Sequence, residues 1–227
     1  MLSRADIDLV VFDVLGTLVN EPGGIRDGIR ELAPDGDIDG LAELWENHVA
    51  RRQQRMLDGR DPYADSETVD REAAELVADK CGVTDAAAIG RLATVERRLE
   101  PWSDTVAGLE LLARQFPIVG LSNASRATLT RLSAKAGLRW HFLLSAQDAN
   151  SYKPAAEVYR LAVDLAGSAP QRVLKVAAHA WDLRAAQEVG LRTAYVPRPV
   201  GDPPRDSDAF DLHAASLADL AATLGDD

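Results

Sequence analysis

Ile7-Asp8-Leu9-Val10-Val11-Phe12-Asp13-Val14-Leu15-Gly16-Thr17-Leu18 is the stretch that decides the fold of this chain. Five of its first six residues are apolar or β-branched, the pattern of a strand buried on both faces of a parallel sheet. A carboxylate follows at once, then Gly16-Thr17. Ligands of open α/β sheets bind outside the carboxyl ends of the strands, and Asp13 stands at such an end. A buried carboxylate is costly there without a purpose, so Asp13 is the first candidate functional residue.

Working outward, strand-like runs recur at Pro117–Leu121, Phe142–Ser145, Val173–Ala178 and Arg192–Val196. Helix-like segments lie between them at about Asp104–Gln115, Ser125–Ala136, Ala155–Ala166 and Leu183–Val189. Such alternation predicts an α/β fold with a parallel sheet and right-handed crossovers. Ser103-Asp104 is placed to cap the helix after Pro101, and Gly137 and Gly190 stand where a left-handed C-terminal residue belongs. Residues from about Pro22 to Glu100 hold no convincing strand. Leu41, Leu44, Trp45 and His48 fall at helical spacing, as do Ala73, Leu76 and Val77, which predicts a helical insertion after the first strand. The Pro- and Gly-rich stretch 197–206 reads as a loop, followed by a short strand in Ala209–Ala215 and an amphipathic helix over Leu217–Leu224.

Composition narrows the function. A net charge of −11 over 227 residues argues against nucleic acid and against anionic membranes, both of which are met with Lys and Arg. No apolar run approaches the length of a membrane span, and Asp8 and Asp13 interrupt the early apolar run that a signal peptide would need. Cys81 is the single cysteine, which fits a reducing cytosol; a cytoplasmic protein is the expectation.

Four short motifs fall at strand ends. They are Phe12-Asp13-Val14-Leu15-Gly16-Thr17-Leu18, Gly120-Leu121-Ser122-Asn123-Ala124-Ser125, Ser151-Tyr152-Lys153-Pro154 with Tyr159 beyond it, and Ala177-Ala178-His179-Ala180-Trp181-Asp182. In order and spacing they resemble the four motifs of the haloacid dehalogenase superfamily, and within it the type II (S)-2-haloacid dehalogenases. The resemblance runs from Leu9 to Leu224. It implies a Rossmann-like core (1–21 and 101–227) and a helical cap (22–100). It also implies a hydrolase acting on carbon–halide bonds of a small molecule, with Asp13 as covalent nucleophile, no cofactor and a homodimer.

The residue types suit those roles. Lys153 can hold Asp13 ionised, and Thr17 can donate to it. Ser122 and Asn123 offer neutral donors, and Asp182 can orient or deprotonate the water that cleaves the ester. Leu15, Trp45, Tyr159, His179 and Trp181 are the expected substrate contacts. Asp13 would displace halide from the α-carbon with inversion, and water would then free a 2-hydroxy acid.

The pattern also departs from its relatives. The superfamily's phosphatases carry a second Asp two residues after the nucleophile, where this chain has Leu15. They also pair two carboxylates four residues apart in the fourth motif, where Asp182 is preceded by Ala178. Both differences speak against Mg²⁺-dependent phosphoryl transfer. The dehalogenases carry an arginine just after a cap tryptophan; here Trp45 is followed by Glu46. Arg51, Arg52, Arg55 or His48 could restore the positive charge. Ala177 and His179 stand where Ser and Asn are usual, so a branch acting on another electrophilic carbon stays open. Two further readings compete. Gly120-Leu121-Ser122-Asn123-Ala124 nearly matches a serine-hydrolase elbow, with His213 late in the chain as the triad order requires. A non-catalytic binding protein on the same fold is the other.

Overall fold

The computed structural model describes residues 2–225. In chain order its elements are β1 (Leu9–Phe12), α1 (Glu21–Leu32), α2 (Ile38–Leu57), α3 (Ser66–Cys81), α4 (Ala86–Leu92), α5 (Thr105–Ala113), β2 (Ile118–Ser122), α6 (Arg126–Ala136), β3 (Phe142–Ser145), α7 (Ala156–Ala166), β4 (Val173–Ala177), α8 (Ala180–Glu188), β5 (Arg192–Tyr195), β6 (Leu212–His213) and α9 (Leu217–Gly225). The six strands form one parallel sheet in the order β3-β2-β1-β4-β5-β6.

Strand β1 is buried along its length because both faces are covered. Val10 and Phe12 point into the layer built by α5, α6 and α9, with Leu112, Leu132 and Leu220. Leu9 and Val11 point into the other layer, against Val158 and Tyr159 of α7 and Ala186 of α8. The two-residue period of a strand thus feeds two separate apolar layers. After β1 the chain adds β2 and β3 on one side, then returns through β4 on the other. That reversal leaves a crevice at the carboxyl ends of β1, β2 and β4.

Helices α1 to α4 gather around an apolar cluster of their own, including Ile25, Ile29, Trp45, Val77 and Leu92. Side chains of Asn20, Asp37 and Asp65 accept from backbone N–H groups at the starts of α1, α2 and α3. Leu76 is 38 % exposed although it shares helical spacing with Ala73 and Val77. The buried face of α3 is centred on Asp70, Ala73, Ala74 and Val77, and Leu76 lies at its edge.

Asp104 also departs from expectation. It sits at the N-cap of α5 but makes no side-chain capping bond. Its carboxylate instead accepts from Arg198 at 2.7 Å and from the backbone N–H of Leu217 at 3.1 Å. A stronger charge-assisted partner and the start of α9 have drawn it away from its own helix.

Candidate active site

The end of β1 delivers Asp13 to the crevice, and the turn after it shapes what the carboxylate meets. Thr17 Oγ1 donates to Asp13 Oδ2 at 2.6 Å and accepts from the backbone N–H of Ala178 at 2.9 Å. His179, just past β4, places Nδ1 3.0 Å from the same Oδ2. Gly16 makes this packing possible. It has φ +78°, and a Cβ there would lie 2.5 Å from His179 Cε1. Lys153 Nζ donates to Asp13 Oδ1 at 2.8 Å. A carboxylate oxygen has two lone-pair sites. Oδ2 has both engaged, whereas Oδ1 keeps one free.

Behind Asp13 lies a buried charged network. Lys153 Nζ also donates to Asp182 Oδ2 at 2.9 Å, so one ammonium bridges two carboxylates. Tyr159 O–H donates to Asp182 Oδ1 at 2.6 Å. Lys175, 0 % exposed in the middle of β4, holds its Nζ 3.1 Å from Asp182 Oδ2, an ion contact without hydrogen-bond geometry. The backbone N–H of Lys153 donates to Asn123 Oδ1 at 2.8 Å, which ties the second motif to the third.

Burial alone would raise the Asp13 carboxyl, but Lys153, His179 and Lys175 outweigh it and hold the group well below the usual carboxylate range. Burial pulls Lys153 down, yet Asp13 and Asp182 overcome it and raise the ammonium above its ordinary value. Lys175 goes the other way, to about 8: burial is the largest cause, and repulsion from Lys153 adds to it against attraction from Asp182. Burial lowers His179, but its contact with Asp13 and the charges of Asp13 and Glu21 raise it overall.

Above this network lies a chamber of about 270 Å³. Asp13, Lys153, Ser122 and Asn123 form its floor. Leu15, Trp45, His179 and Trp181 also line it. Tyr159 and Asp182 do not: their polar atoms are spent on each other and on the lysines, behind the floor. Cations expected from α2 are absent from the chamber walls. Arg52 pairs with Asp61 at 2.6 Å and Glu72 at 2.7 Å, Arg55 with Asp61 at 2.7 Å, and His48 with Glu72 at 3.0 Å. Arg51 is exposed, donating to the backbone of Asn47. Glu46 lines the chamber in person, joined by Glu21, Asp70 and Glu96.

Those last three carboxyls, and Lys175, escaped sequence reasoning. For Lys175 a signal existed: a lysine inside the apolar run Val173-Leu174-Lys175-Val176 has no solvent to reach. Glu21, Asp70 and Glu96 carried none: Asp70 and Glu96 sit among other charged residues that read as a solvated surface, and Glu21 stands before Pro22 where an exposed helix start is expected. Ser122 and His213 do not meet. Ser122 ends β2 and His213 lies on β6, with β1, β4 and β5 between them, a span of about 19 Å at the usual strand spacing. Ser122 Oγ instead accepts from the backbone N–H of Ala124 at 3.2 Å.

Comparison with known proteins bears on the family and the fold. A family model described as haloacid dehalogenase-like hydrolase matches residues 7–190. An (S)-2-haloacid dehalogenase of Pseudomonas putida is 28% identical over 201 residues, 86% of this chain and 87% of that protein. The crystal structure of an L-2-haloacid dehalogenase superposes with a TM-score of 0.87 at 32% identity, covering 96% of this chain and 100% of the other. The L-2-haloacid dehalogenase of Xanthobacter autotrophicus with chloropropionic acid covalently bound gives a TM-score of 0.82 at 26% identity, covering 95% and 97%. With its parallel sheet, its Asp13 at the end of the central strand and a model match over most of its length, the chain belongs to the haloacid dehalogenase-like hydrolases.

Proposed function

We propose that this hydrolase cleaves the carbon–halogen bond of short 2-haloacid skeletons through an ester on Asp13. The observation that carries the reading is Asp13: an ionised carboxylate lining the chamber, whose Oδ1 keeps one free lone pair while Oδ2 is fully engaged. Oδ1 attacks the carbon bearing the halogen and forms the C–O bond as the C–halogen bond breaks. Halide departs with the bonding electrons, and the carbon inverts. Water then adds to the ester carbonyl and expels the hydroxylated product, which returns the Asp13 carboxylate and releases one proton. The relatives named (S)- and L-2-haloacid dehalogenases support this chemistry.

Each neighbour has a part. Lys153 keeps Asp13 anionic, Thr17 and His179 fix its plane, and Ser122 and Asn123 supply neutral donors at the chamber floor. Trp45, Leu15 and Trp181 form apolar walls against the substrate carbon chain. Asp182 and Tyr159 act from behind by holding Lys153. Helices of segment 22–100 serve as a cap over core segments 1–21 and 101–227; their separate apolar cluster supports that division. A cytoplasmic homodimer completes the reading. No helix among the described residues is long and apolar enough to cross a membrane.

Phosphoryl transfer is less well supported. The superfamily's phosphatases place Mg²⁺ between the first- and fourth-motif carboxylates. Here Leu15 stands where their second aspartate would be, and Ala178 stands four residues before Asp182 where their second fourth-motif carboxylate would be.

A test is halide release from (S)-2-chloropropionate, with a single turnover in ¹⁸O-labelled water. Asp13-dependent halide release with label entering Asp13 is the expected result. Label appearing only in the product would sink the ester.

A further inference from the structure

Lys175 is a charged member of the buried network to which displacement at carbon gives no task. Its backbone lies in the middle of β4, between Val11 of β1 and Thr193 of β5, its partners in register. It has no solvent exposure, and among the described residues its Nζ has no hydrogen-bond partner. Its ion contact is Asp182 Oδ2 at 3.1 Å. An ammonium ion in such a place is costly unless it is matched by opposite charge.

The groups around it come from every neighbouring element. Asp182 reaches it from α8, and Lys153 donates to the same oxygen at 2.9 Å. Tyr159 of α7 gives its O–H to Asp182, and Thr193 Oγ1 is engaged with Gln187 and Asp211. Asp13, at the end of β1, joins through Lys153 at 2.8 Å, and His179 meets Asp13 at the chamber wall. Asp13, Lys153, Asp182 and Lys175 thus form one chain of contacts at 2.8, 2.9 and 3.1 Å. Two carboxylates face two ammonium groups, and the four are balanced when all are ionised.

Ester formation upsets that balance. Once Asp13 Oδ1 is bonded to carbon its negative charge is gone, and two buried ammonium groups share one carboxylate. Like charges repel most strongly where water is excluded. Loss of one proton relieves the excess, and the geometry selects the group that loses it. Lys153 keeps a hydrogen bond to Asp182, whereas Lys175 has an ion contact without hydrogen-bond geometry. Burial, with repulsion from Lys153, already brings Lys175 down to about 8 against the attraction of Asp182 and Asp13. An ester at Asp13 removes part of that attraction.

We propose that Lys175 is the charge-balancing residue of the site: it carries its proton while Asp13 is a free carboxylate and gives it up while Asp13 is esterified. It is a positioning residue that acts through Asp182. The inference deepens the reading of Asp13 as the displacing nucleophile and rests on it for the ester. The route for the proton is the oxygen both lysines touch. Lys153 lines the chamber and yields a proton to solvent there, and the Lys175 proton replaces it through Asp182 Oδ2. Displacement forms the C–O bond, breaks the C–halogen bond and frees halide, with no proton of its own. Hydrolysis consumes one water and frees the alcohol, the Asp13 carboxylate and one proton, which returns to Lys175.

The first arm of the experiment needs no substrate. The chain has four lysines, and Lys80 and Lys135 are exposed. Full-length protein with ¹³C-labelled lysine therefore gives four ε-methylene signals, assigned with Lys80→Arg, Lys135→Arg and Lys175→Met and followed by NMR from pH 6 to pH 10. Lys175 should titrate near pH 8 in wild type. In Asp13→Asn, where a neutral amide stands in for the ester, its midpoint should fall by about one unit, a tenfold loss of proton affinity. A single charge state across the range in wild type, or an unmoved midpoint in Asp13→Asn, overturns the proposal. The second arm is a single turnover of (S)-2-chloropropionate at pH 7.5 in weak buffer, with protons followed by an indicator dye beside halide. Wild type should release a proton together with halide, and Lys175→Met only together with the 2-hydroxy acid. A proton that appears only with the 2-hydroxy acid in wild type overturns the proposal. So does an early proton that persists in Lys175→Met, which would assign it to His179. Absence of halide release removes the dehalogenation reading instead, and the titration still decides Lys175.

Discussion

Asp13 and Glu21 are carboxyls on the wall of one chamber, and burial pushes both toward protonation; only one of them yields. Asp13 has Lys153 at 2.8 Å and His179 at 3.0 Å, and it stays ionised. Glu21 is buried near Glu96, Asp13 and Glu46, whose repulsion His179 only partly offsets, and its carboxyl rises to about 8. The two ends of the chamber therefore differ less in exposure than in partners. The floor is a neutralised ion network able to push electrons at carbon. Around Glu21, burial and acidic neighbours raise the carboxyls of Asp70 and Glu96 as well. Asp182 fits the first pattern, since Lys153, Lys175 and Tyr159 all converge on it.

The comparison breaks most visibly at Asp13. Asp13→Asn should remove halide release by more than about 10³-fold, at least about 4 kcal/mol in barrier, because an amide is no nucleophile. A circular dichroism spectrum unchanged from wild type would show that the loss is chemical. Retained turnover would end the role given to the floor.

Lys153→Met tests the neutralisation itself. It leaves two buried carboxylates facing each other, and breaking a buried pair by removing one partner costs about 3–5 kcal/mol. Urea unfolding at pH 7 should show this loss, with partial recovery as acid protonates the orphaned carboxylates. A stability equal to wild type would mean that Lys175 suffices to balance the charge.

Tyr159→Phe sharpens the same point at smaller scale. It removes one hydrogen bond to Asp182, worth roughly 1.5–3 kcal/mol for a charged acceptor. Activity should fall through kcat with KM little changed, since Tyr159 does not line the chamber. A rise in KM alone would place the phenol in contact with substrate.

Glu21→Gln probes the other wall through pH. The folded value of about 8 lies above the ordinary 4.5, so the folded state holds this proton more tightly. Its contribution is therefore fully present below about pH 4.5 and is lost as pH rises through about 8. Compared with wild type, Glu21→Gln should gain stability with rising pH, by about 1 kcal/mol at pH 9 after allowing for partial exposure of the group. Thermal melts from pH 5 to pH 9 would show it; a constant gap across that range would mean that Glu21 is ionised throughout.

The sheet was legible because its signals are local. Val10 and Phe12 alternate with Leu9 and Val11, and the apolar runs recur with helices between them, which is enough to order a parallel α/β layer structure. Most boundaries moved by a residue or two and α8 by three, starting at Ala180 rather than Leu183 because His179 already serves as its N-cap. The catalytic candidates at strand ends were legible for the same reason: every strand of a parallel sheet points its carboxyl end to one side. Beyond that range the reading faltered. Tyr159 was expected against substrate, yet its hydroxyl is bonded to Asp182. Arg52 and Arg55 were offered as replacement cations, yet Asp61 and Glu72 claim them.

The amino-acid sequence by itself determined the order of strands and helices, the helical insertion after β1 and the arrival of Asp13, Ser122, Lys153 and His179 at one edge of the sheet. Those follow from periodicities of two and 3.6 residues and from turn chemistry, which act over a few residues. Only the tertiary structure decided which charges are matched. Lys153 is 140 residues from Asp13 in sequence, and Glu21, Asp70 and Glu96 come from three separate segments of the chain. Electrostatic partnership depends on separation in space and on the water excluded between the groups, and neither quantity exists until the helices have packed over the sheet.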